Sequence, residues 1–463
     1  MKVGLVLAVS LVAAGQSAQA ATQASAAPLK AATSDLASLQ QQLDALRADY
    51  GAKIVELEAR LKAAEEASAK AAIPPTLGLT EAAPETSDAS QIALLETGAA
   101  SDVAAPIASP NASNPGVSVV LNGNYVAMSR NPDHARIPGF PLTSDAGLPG
   151  RGFSLGESEV TLAANVDPYL TANLTMSLGG QNEVSVEEAY IQSTALPAGL
   201  TLRAGRFYSG IGYLNERHAH NWTFIDMPLP YRAFLGRQYG DDGIQGRWLV
   251  PAPIFLEIGA ELFRGDHFPA GNPDNNRAGT QAAYVHTGSD INDNSSWLAA
   301  FSYIQTDAHQ LDVSGDILSG SNRLGMASMV YKWAPGGNPT QRNLNLTAEY
   351  FFGRQNGTFN GLPLDRDQRG GYVQGAYQVT PRWSLGLRYA TLNSPGVPHL
   401  LAGAAVDGLG RTPSTVSGLI EYDTSEFGRL RAQFSHDVSD RQPNDAFLLQ
   451  YTVVYGPHGA HRY

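Results

Sequence analysis

Residues 159–178 read EVTLAANVDPYLTANLTMSL. Val160, Leu162, Ala164 and Val166 alternate with Glu159, Thr161, Asn165 and Asp167. After the Asp167-Pro168 break, Leu170, Ala172, Leu174, Met176 and Leu178 alternate with Thr171, Asn173, Thr175 and Ser177. Two period-two runs joined by so short a turn read as an antiparallel hairpin, apolar on one face and polar on the other. The same pattern recurs from Ser118 to Tyr455 as about sixteen segments, starting near residues 117, 152, 169, 185, 199, 242, 253, 279, 295, 321, 342, 369, 381, 413, 426 and 444. Among the clearest are Leu344, Leu346, Ala348, Tyr350 and Phe352 against Asn345, Thr347 and Glu349, and Leu430, Ala432 and Phe434 against Arg431, Gln433 and Ser435.

The connections alternate short and long. The short ones are Asp167-Pro168, Leu196-Pro197-Ala198, Pro251-Ala252-Pro253, Ser289 to Asn294, Ala334 to Thr340, Thr380-Pro381 and Thr424-Ser425-Glu426. Six of the other eight are expected to span roughly a dozen residues or more. A strand of ~10 residues crosses a bilayer when tilted, and outer-membrane barrels pair short periplasmic turns with longer external loops. The expected fold is therefore all-β: a transmembrane antiparallel β-barrel of about sixteen strands over residues 116–463.

The rest of the chain agrees with export. Lys2, the apolar run Val3 to Ala14 and the small-x-small site Ala18-Gln19-Ala20 read as a signal peptide over residues 1–20. No other stretch approaches the ~18 apolar residues of a spanning helix. With no cysteine there is neither a disulfide framework nor a thiolate metal site, and a net charge of −12 argues against nucleic acid as partner. Residues 34–70 carry Leu36, Leu39, Leu43, Leu46 and Tyr50, then Ile54, Leu57, Leu61 and Ala64, at three-four spacing. That stripe predicts a coiled-coil helix that joins copies of the chain, or an amphipathic helix packed on its own domain. Residues 71–115, rich in Ala, Pro, Ser and Thr, read as a flexible linker.

Tryptophan gives an independent check. Trp248, Trp297, Trp333 and Trp383 all fall at short-turn ends and on the more apolar face, as an interfacial aromatic girdle requires.

One connection stands apart. Tyr208 to Asp241 is the longest, and it carries Trp222, Phe224, Tyr231 and Phe234, rings that a solvated external loop does not need. Folding into the lumen would satisfy them; packing on neighbouring loops or subunits is the other reading. In the lumen, Glu216, Arg217, His218, His220, Asp226, Arg232 and Arg237 would form a pore constriction, where charged side chains select by field and diameter. His218-Ala219-His220 beside Glu216 and Asp226 also invites a metal reading, but His-x-His without a fixed third ligand is common, so no metal site is assigned. His458 and His461 in the C-terminal tail carry the same ambiguity. A serine with His218 and Asp226 lacks any nucleophile motif, so no enzyme activity and no cofactor are expected.

The run Val186-Glu187-Glu188-Ala189-Tyr190-Ile191 through Gly199-Leu200-Thr201-Leu202-Arg203-Ala204-Gly205-Arg206-Phe207 resembles a hairpin of the phosphate-selective porin superfamily. Asn215-Glu216-Arg217-His218-Ala219-His220 through Tyr231-Arg232-Ala233-Phe234-Leu235-Gly236 is similar to a branch related to siderophore porins with N-terminal coiled coils. The resemblance implies a sixteen-stranded, trimeric outer-membrane channel. Phosphate selectivity in that superfamily rests on lumenal lysines and arginines, whereas Lys332 is the only lysine here after Lys70. Members of the branch also carry the label of TonB-dependent receptors, but those need a larger barrel and a plug, and 348 residues leave about 22 per strand with its connection.

These readings converge on passive diffusion of small hydrophilic solutes or ions through a Gram-negative outer membrane, constricted by loop 208–241. The alternative is a receptor for a metal ion or metal chelate. The expected partners are the lipid bilayer, two further copies of the chain, the solute, and peptidoglycan through a periplasmic N-terminal helix.

Overall fold

The structure, a computed structural model, describes residues 115–143, 146–179, 183–271 and 276–456. The expected signal peptide, coiled-coil helix, His458 and His461 lie outside the described residues, as does the linker but for its last residue. The strands are β1 (Gly116–Met128), β2 (Gly152–Leu155), β3 (Ser158–Asp167), β4 (Leu170–Leu178), β5 (Val184–Ser193), β6 (Leu200–Tyr208), β7 (Gly240–Leu249), β8 (Phe255–Phe263) and β9 (Thr280–Asn292). They continue with β10 (Ser295–Val313), β11 (Asp316–Trp333), β12 (Asn343–Phe359), β13 (Leu362–Thr380), β14 (Trp383–Asn393), β15 (Ser414–Ser425), β16 (Gly428–Asp437) and β17 (Asn444–Tyr455).

From β3 onward each strand pairs antiparallel with the next, and β1 closes the ring on β17 from Val119↔Tyr455 to Met128↔Ala446. Both β2 and β3 pair with β1, so they are two pieces of one stave, and seventeen segments make sixteen staves. The break lies at Gly156, where a Cβ would meet the Asn124 side chain at 2.5 Å. Ser158 Oγ there accepts from the Asn122 N–H at 3.0 Å. A closed sheet has no unpaired edge, so every stave satisfies its backbone within the ring.

The two faces are reversed relative to a water-soluble protein. Phe301, Tyr350, Phe352, Leu387 and Phe434 point outward and are exposed, while Thr347, Glu349, Arg431 and Gln433 point inward and are buried. Leu346, Tyr350 and Phe352 against Thr347 and Glu349 on β12 follow the alternation read from sequence. Trp248, Trp297, Trp333 and Trp383 lie at the ends of β7, β10, β11 and β14 that adjoin the short turns. There Trp248 pairs with outward Leu200, and the Trp383 ring lies 4.8 Å from that of Tyr422.

Two starts differ from expectation. β11 begins at Asp316 rather than near 321, and β13 at Leu362 rather than near 369. The long loops expected before them are two-residue turns, so four long connections remain rather than six. Ser314 and Gly315 in one turn, and Asn360 and Gly361 in the other, all have positive φ, as tight hairpin turns with the right twist require. β10 to β13 therefore run 17–19 residues, well beyond a bilayer span. Polar side chains such as Arg354 and Asp365, paired at 3.2 Å, made these stretches look like loop. Inside the hairpin ends, Val313, Leu318, Phe359 and Leu364 pack with Leu401 and Val406 of the β14–β15 connection.

Candidate functional site: the loop across the barrel

The connection from β6 to β7 turns inward and crosses the barrel. Asn215 closes its base: the side-chain amide donates to the Ser209 and Tyr239 carbonyls at 2.7 and 2.8 Å and accepts from the Tyr239 N–H at 2.8 Å. From there the chain touches successive walls. The Gly210 N–H donates to Glu261 on β8 at 2.9 Å, the Gly212 N–H to Ser302 on β10 at 3.0 Å, and the Tyr213 N–H to Glu349 on β12 at 2.9 Å. Gly212 has φ +65, and a Cβ there would meet Met326 Cε at 2.5 Å and the Tyr231 hydroxyl at 2.6 Å. Only glycine permits that approach without strain.

The loop contains one α-helix, α1 (Leu229–Leu235), begun with Pro230 in its first turn and ended by Gly236 in the left-handed region. Every residue of α1 is buried. Tyr231 reaches Glu349, which also accepts from Ser328 at 2.6 Å and Tyr372 at 2.5 Å. Phe234 stacks on Phe351 with centroids 5.7 Å apart and meets the edge of Phe140 at 5.2 Å. Phe140 and Ile137 belong to the β1–β2 connection, which therefore also folds inward. The loop's rings pack into one apolar cluster with Phe207, Phe263, Phe351 and Tyr372 of the barrel wall, which answers why the connection is so aromatic.

Arginines on the far wall hold the opposite flank. Arg388 on β14, half-way round the ring from β6, pairs with Asp226. Gln433 on β16 donates to the same carboxylate at 2.6 Å. Arg431, fully buried, donates to the Trp222 carbonyl and to Gln450, and Arg429 donates to the His220 carbonyl. Burial pushes the Asp226 carboxyl up, but Arg388 and the hydrogen bonds outweigh it and hold it below the ordinary carboxylate range.

Each residue predicted from sequence has a definite place. His218 sits between Glu159, Glu187 and Glu188, and His220 against Glu159. Glu216 lies 3.7 Å from Arg203, and burial is the largest influence raising its pKa. Arg217 covers the Tyr213 ring at 4.2 Å, and Arg237 pairs with Glu157 above Trp222. Arg232 is buried, donates to the Ala146 carbonyl at 3.0 Å, and has its pKa lowered first by burial. Glu216 and Asp226, the acids nearest the histidines in sequence, thus have arginine partners.

Sequence reasoning missed the wall residues that receive the loop: Glu159, Glu187, Glu188, Glu349, Arg388 and Arg429. Inward parity in period-two runs was the available signal for most of them. It fails at Glu187-Glu188, because adjacent residues should face opposite sides. A register shift between Thr175 and Met176 lets Glu188 pair at Thr175 while Val186 pairs at Met176, so Glu187 has no partner across the ladder. Both carboxylates then turn inward.

No family model matches the chain. It is 29% identical over 336 residues to an uncharacterised protein of Aquifex aeolicus (strain VF5), covering 67% of this chain and 70% of that one. Among solved structures, OmpT, an outer membrane protein of Vibrio cholerae, is similar at a TM-score of 0.49 and 10% identity, over 76% of this chain and all of that one. The anion-selective porin from Comamonas acidovorans is similar at 0.48 and 8%, over 73% and 98%.

Proposed function

We propose that the chain is an outer-membrane channel for passive diffusion of small hydrophilic solutes or ions, with residues 208–241 as its constriction. One observation carries this reading: a closed sixteen-stave barrel, apolar outside and charged inside, has its β6–β7 connection drawn across its interior and held at both walls. An apolar exterior suits lipid, and a closed ring satisfies the backbone where no water can. In this reading the outward Trp248, Trp297, Trp333 and Trp383 sit at the periplasmic interface, and residues 34–70 join three copies or reach peptidoglycan. Buried inward carboxylates (Glu159, Glu188, Glu261 and Glu349) and buried inward arginines (Arg203, Arg247, Arg388 and Arg429) both line the wall beside the loop, so a solute passing it meets charges of both signs.

Planar-bilayer recording of the purified protein tests this. Stepwise openings are expected, and deletion of residues 216–237 should enlarge each step several-fold. A silent wild-type protein would refute the channel, and an unchanged step in the deletion would refute the constriction.

A further inference from the structure

Where the loop meets β3 and β5, five side chains converge. His218 Nδ1 lies 3.1 Å from Glu187 Oε2 and 3.3 Å from Glu159 Oε2. These three donor atoms all fall within 4.8 Å of one another. The other ring nitrogen, His218 Nε2, lies 3.1 Å from Glu188 Oε2. His220 Nδ1 lies 3.1 Å from Glu159 Oε1, the oxygen of Glu159 turned away from His218. All five side chains are at most 8% exposed.

We propose that Glu159, Glu187 and His218 form a site for a divalent first-row transition ion of the zinc class, and that the ion staples the loop to the wall. An ion with bonds of about 2.0–2.2 Å to tetrahedrally arranged ligands separates neighbouring donor atoms by about 3.3–3.6 Å. The two nitrogen–oxygen separations at His218 come within a few tenths of an ångström of that edge. One imidazole and two carboxylates suit zinc, cobalt or iron(II) and leave a further position for water. The surroundings are also those of a metal site. A histidine bound through one nitrogen commonly offers its other N–H to a carboxylate, which sets the tautomer and ring orientation; Glu188 stands in that place. His220 does the same for Glu159 by holding its second oxygen. The group holds three carboxylates against two imidazoles, a balance to which a divalent cation is complementary.

The ligands come from separate elements. Glu159 lies on β3, Glu187 on β5, and His218 on the loop beside the short helical turn Ala219–Asn221. A bound ion therefore cross-links the constriction to two staves. The site does not require the chain to be a channel; only the ion's effect on passage rests on that reading.

The test uses the full-length protein folded in detergent and freed of metal by chelation. Titration with Co²⁺ should give visible d–d bands of a low-symmetry four- or five-coordinate ion at one equivalent, and Zn²⁺ should abolish them. Zn²⁺ affinity by calorimetry should fall 10–100-fold in Glu188→Gln, which removes an orienting carboxylate but keeps a hydrogen-bonding side chain. It should be lost in His218→Ala. Asp365→Asn, on the exposed end of β13, should bind as wild type. Absence of the bands in folded wild type overturns the site. Equal binding in wild type and His218→Ala overturns it as well, since the ion would then sit elsewhere. Conductance with and without Zn²⁺ is recorded separately: a bound ion that leaves conductance unchanged keeps the site and refutes its control of the pore.

Discussion

The Tyr231 hydroxyl donates to both oxygens of Glu349, at 3.0 and 3.2 Å, joining the loop helix to the inner face of β12 across 118 residues of sequence. The same hydroxyl accepts from the Leu214 N–H at 3.0 Å, so one oxygen fastens the rising and returning limbs of the loop to the wall. Both side chains are buried, with Glu349 only 3% exposed, and a buried polar group that loses its partner carries the full cost of its desolvation.

Tyr231→Phe should therefore undock α1 without unfolding the barrel. It removes the hydrogen bond to Glu349 and leaves the Leu214 N–H without its acceptor, at a cost of about 2–4 kcal/mol to loop docking. Hydrogen exchange should show lost protection in residues 212–235 and unchanged protection in the β10–β13 ladder. Equal loss in both would mean that the loop and barrel unfold as one unit.

Gly212→Ala tests the close approach of loop to wall. The positive φ costs about 1 kcal/mol or more for any other residue, and the added methyl meets Tyr231 and Met326. Gly315→Ala is the control, since Gly315 also has positive φ but nothing lies within 4 Å of its Cβ position. Thermal unfolding should find Gly212→Ala less stable than Gly315→Ala by a further ~1–2 kcal/mol. Equal effects would show that space at Gly212 does not matter.

His267 supplies a pH dependence. Its Nδ1 lies 3.3 Å from Asp241, and the bond to that carboxylate raises its pKa, outweighing the burial that lowers it. A raised value in the folded state means that this contact stabilises fully below the unfolded value of about 6.5 and is lost as pH rises through the folded value. The Gly265 and Asp266 N–H groups, both donating to Asp241 at 2.8 Å, report on it. Their exchange protection, corrected for intrinsic rate, should fall as pH rises above about 6.5 in wild type and stay flat in His267→Gln. The same slope in both proteins would exclude His267 as the source.

Much of the barrel was legible because each of its rules is local. Alternation at Thr347–Phe352 sorts side chains to two faces, and a break such as Asp167-Pro168 reverses the chain without reference to anything distant. The β10–β11 and β12–β13 hairpins were misjudged at their ends because a bilayer span served as the limit. Backbone pairing there continues beyond it, to turns at Ser314-Gly315 and Asn360-Gly361. In the loop, the excess of rings announced a buried position, and the nearest acids in sequence, Glu216 and Asp226, were natural partners for the histidines. Both instead face arginines on the wall.

By itself the sequence determined the class of fold, the stave count, the parity of turns and loops, and which connection is anomalous. Period-two patterning and turn chemistry act between neighbours along the chain, so they are written in order. Only the tertiary structure decided that His218 meets Glu159, Glu187 and Glu188, that Asp226 meets Arg388, and that Tyr231 meets Glu349. Those contacts depend on how the ring closes, on the register shift that turns two adjacent glutamates inward, and on the path of a loop across the barrel. Such distances arise from closure, which no local pattern records.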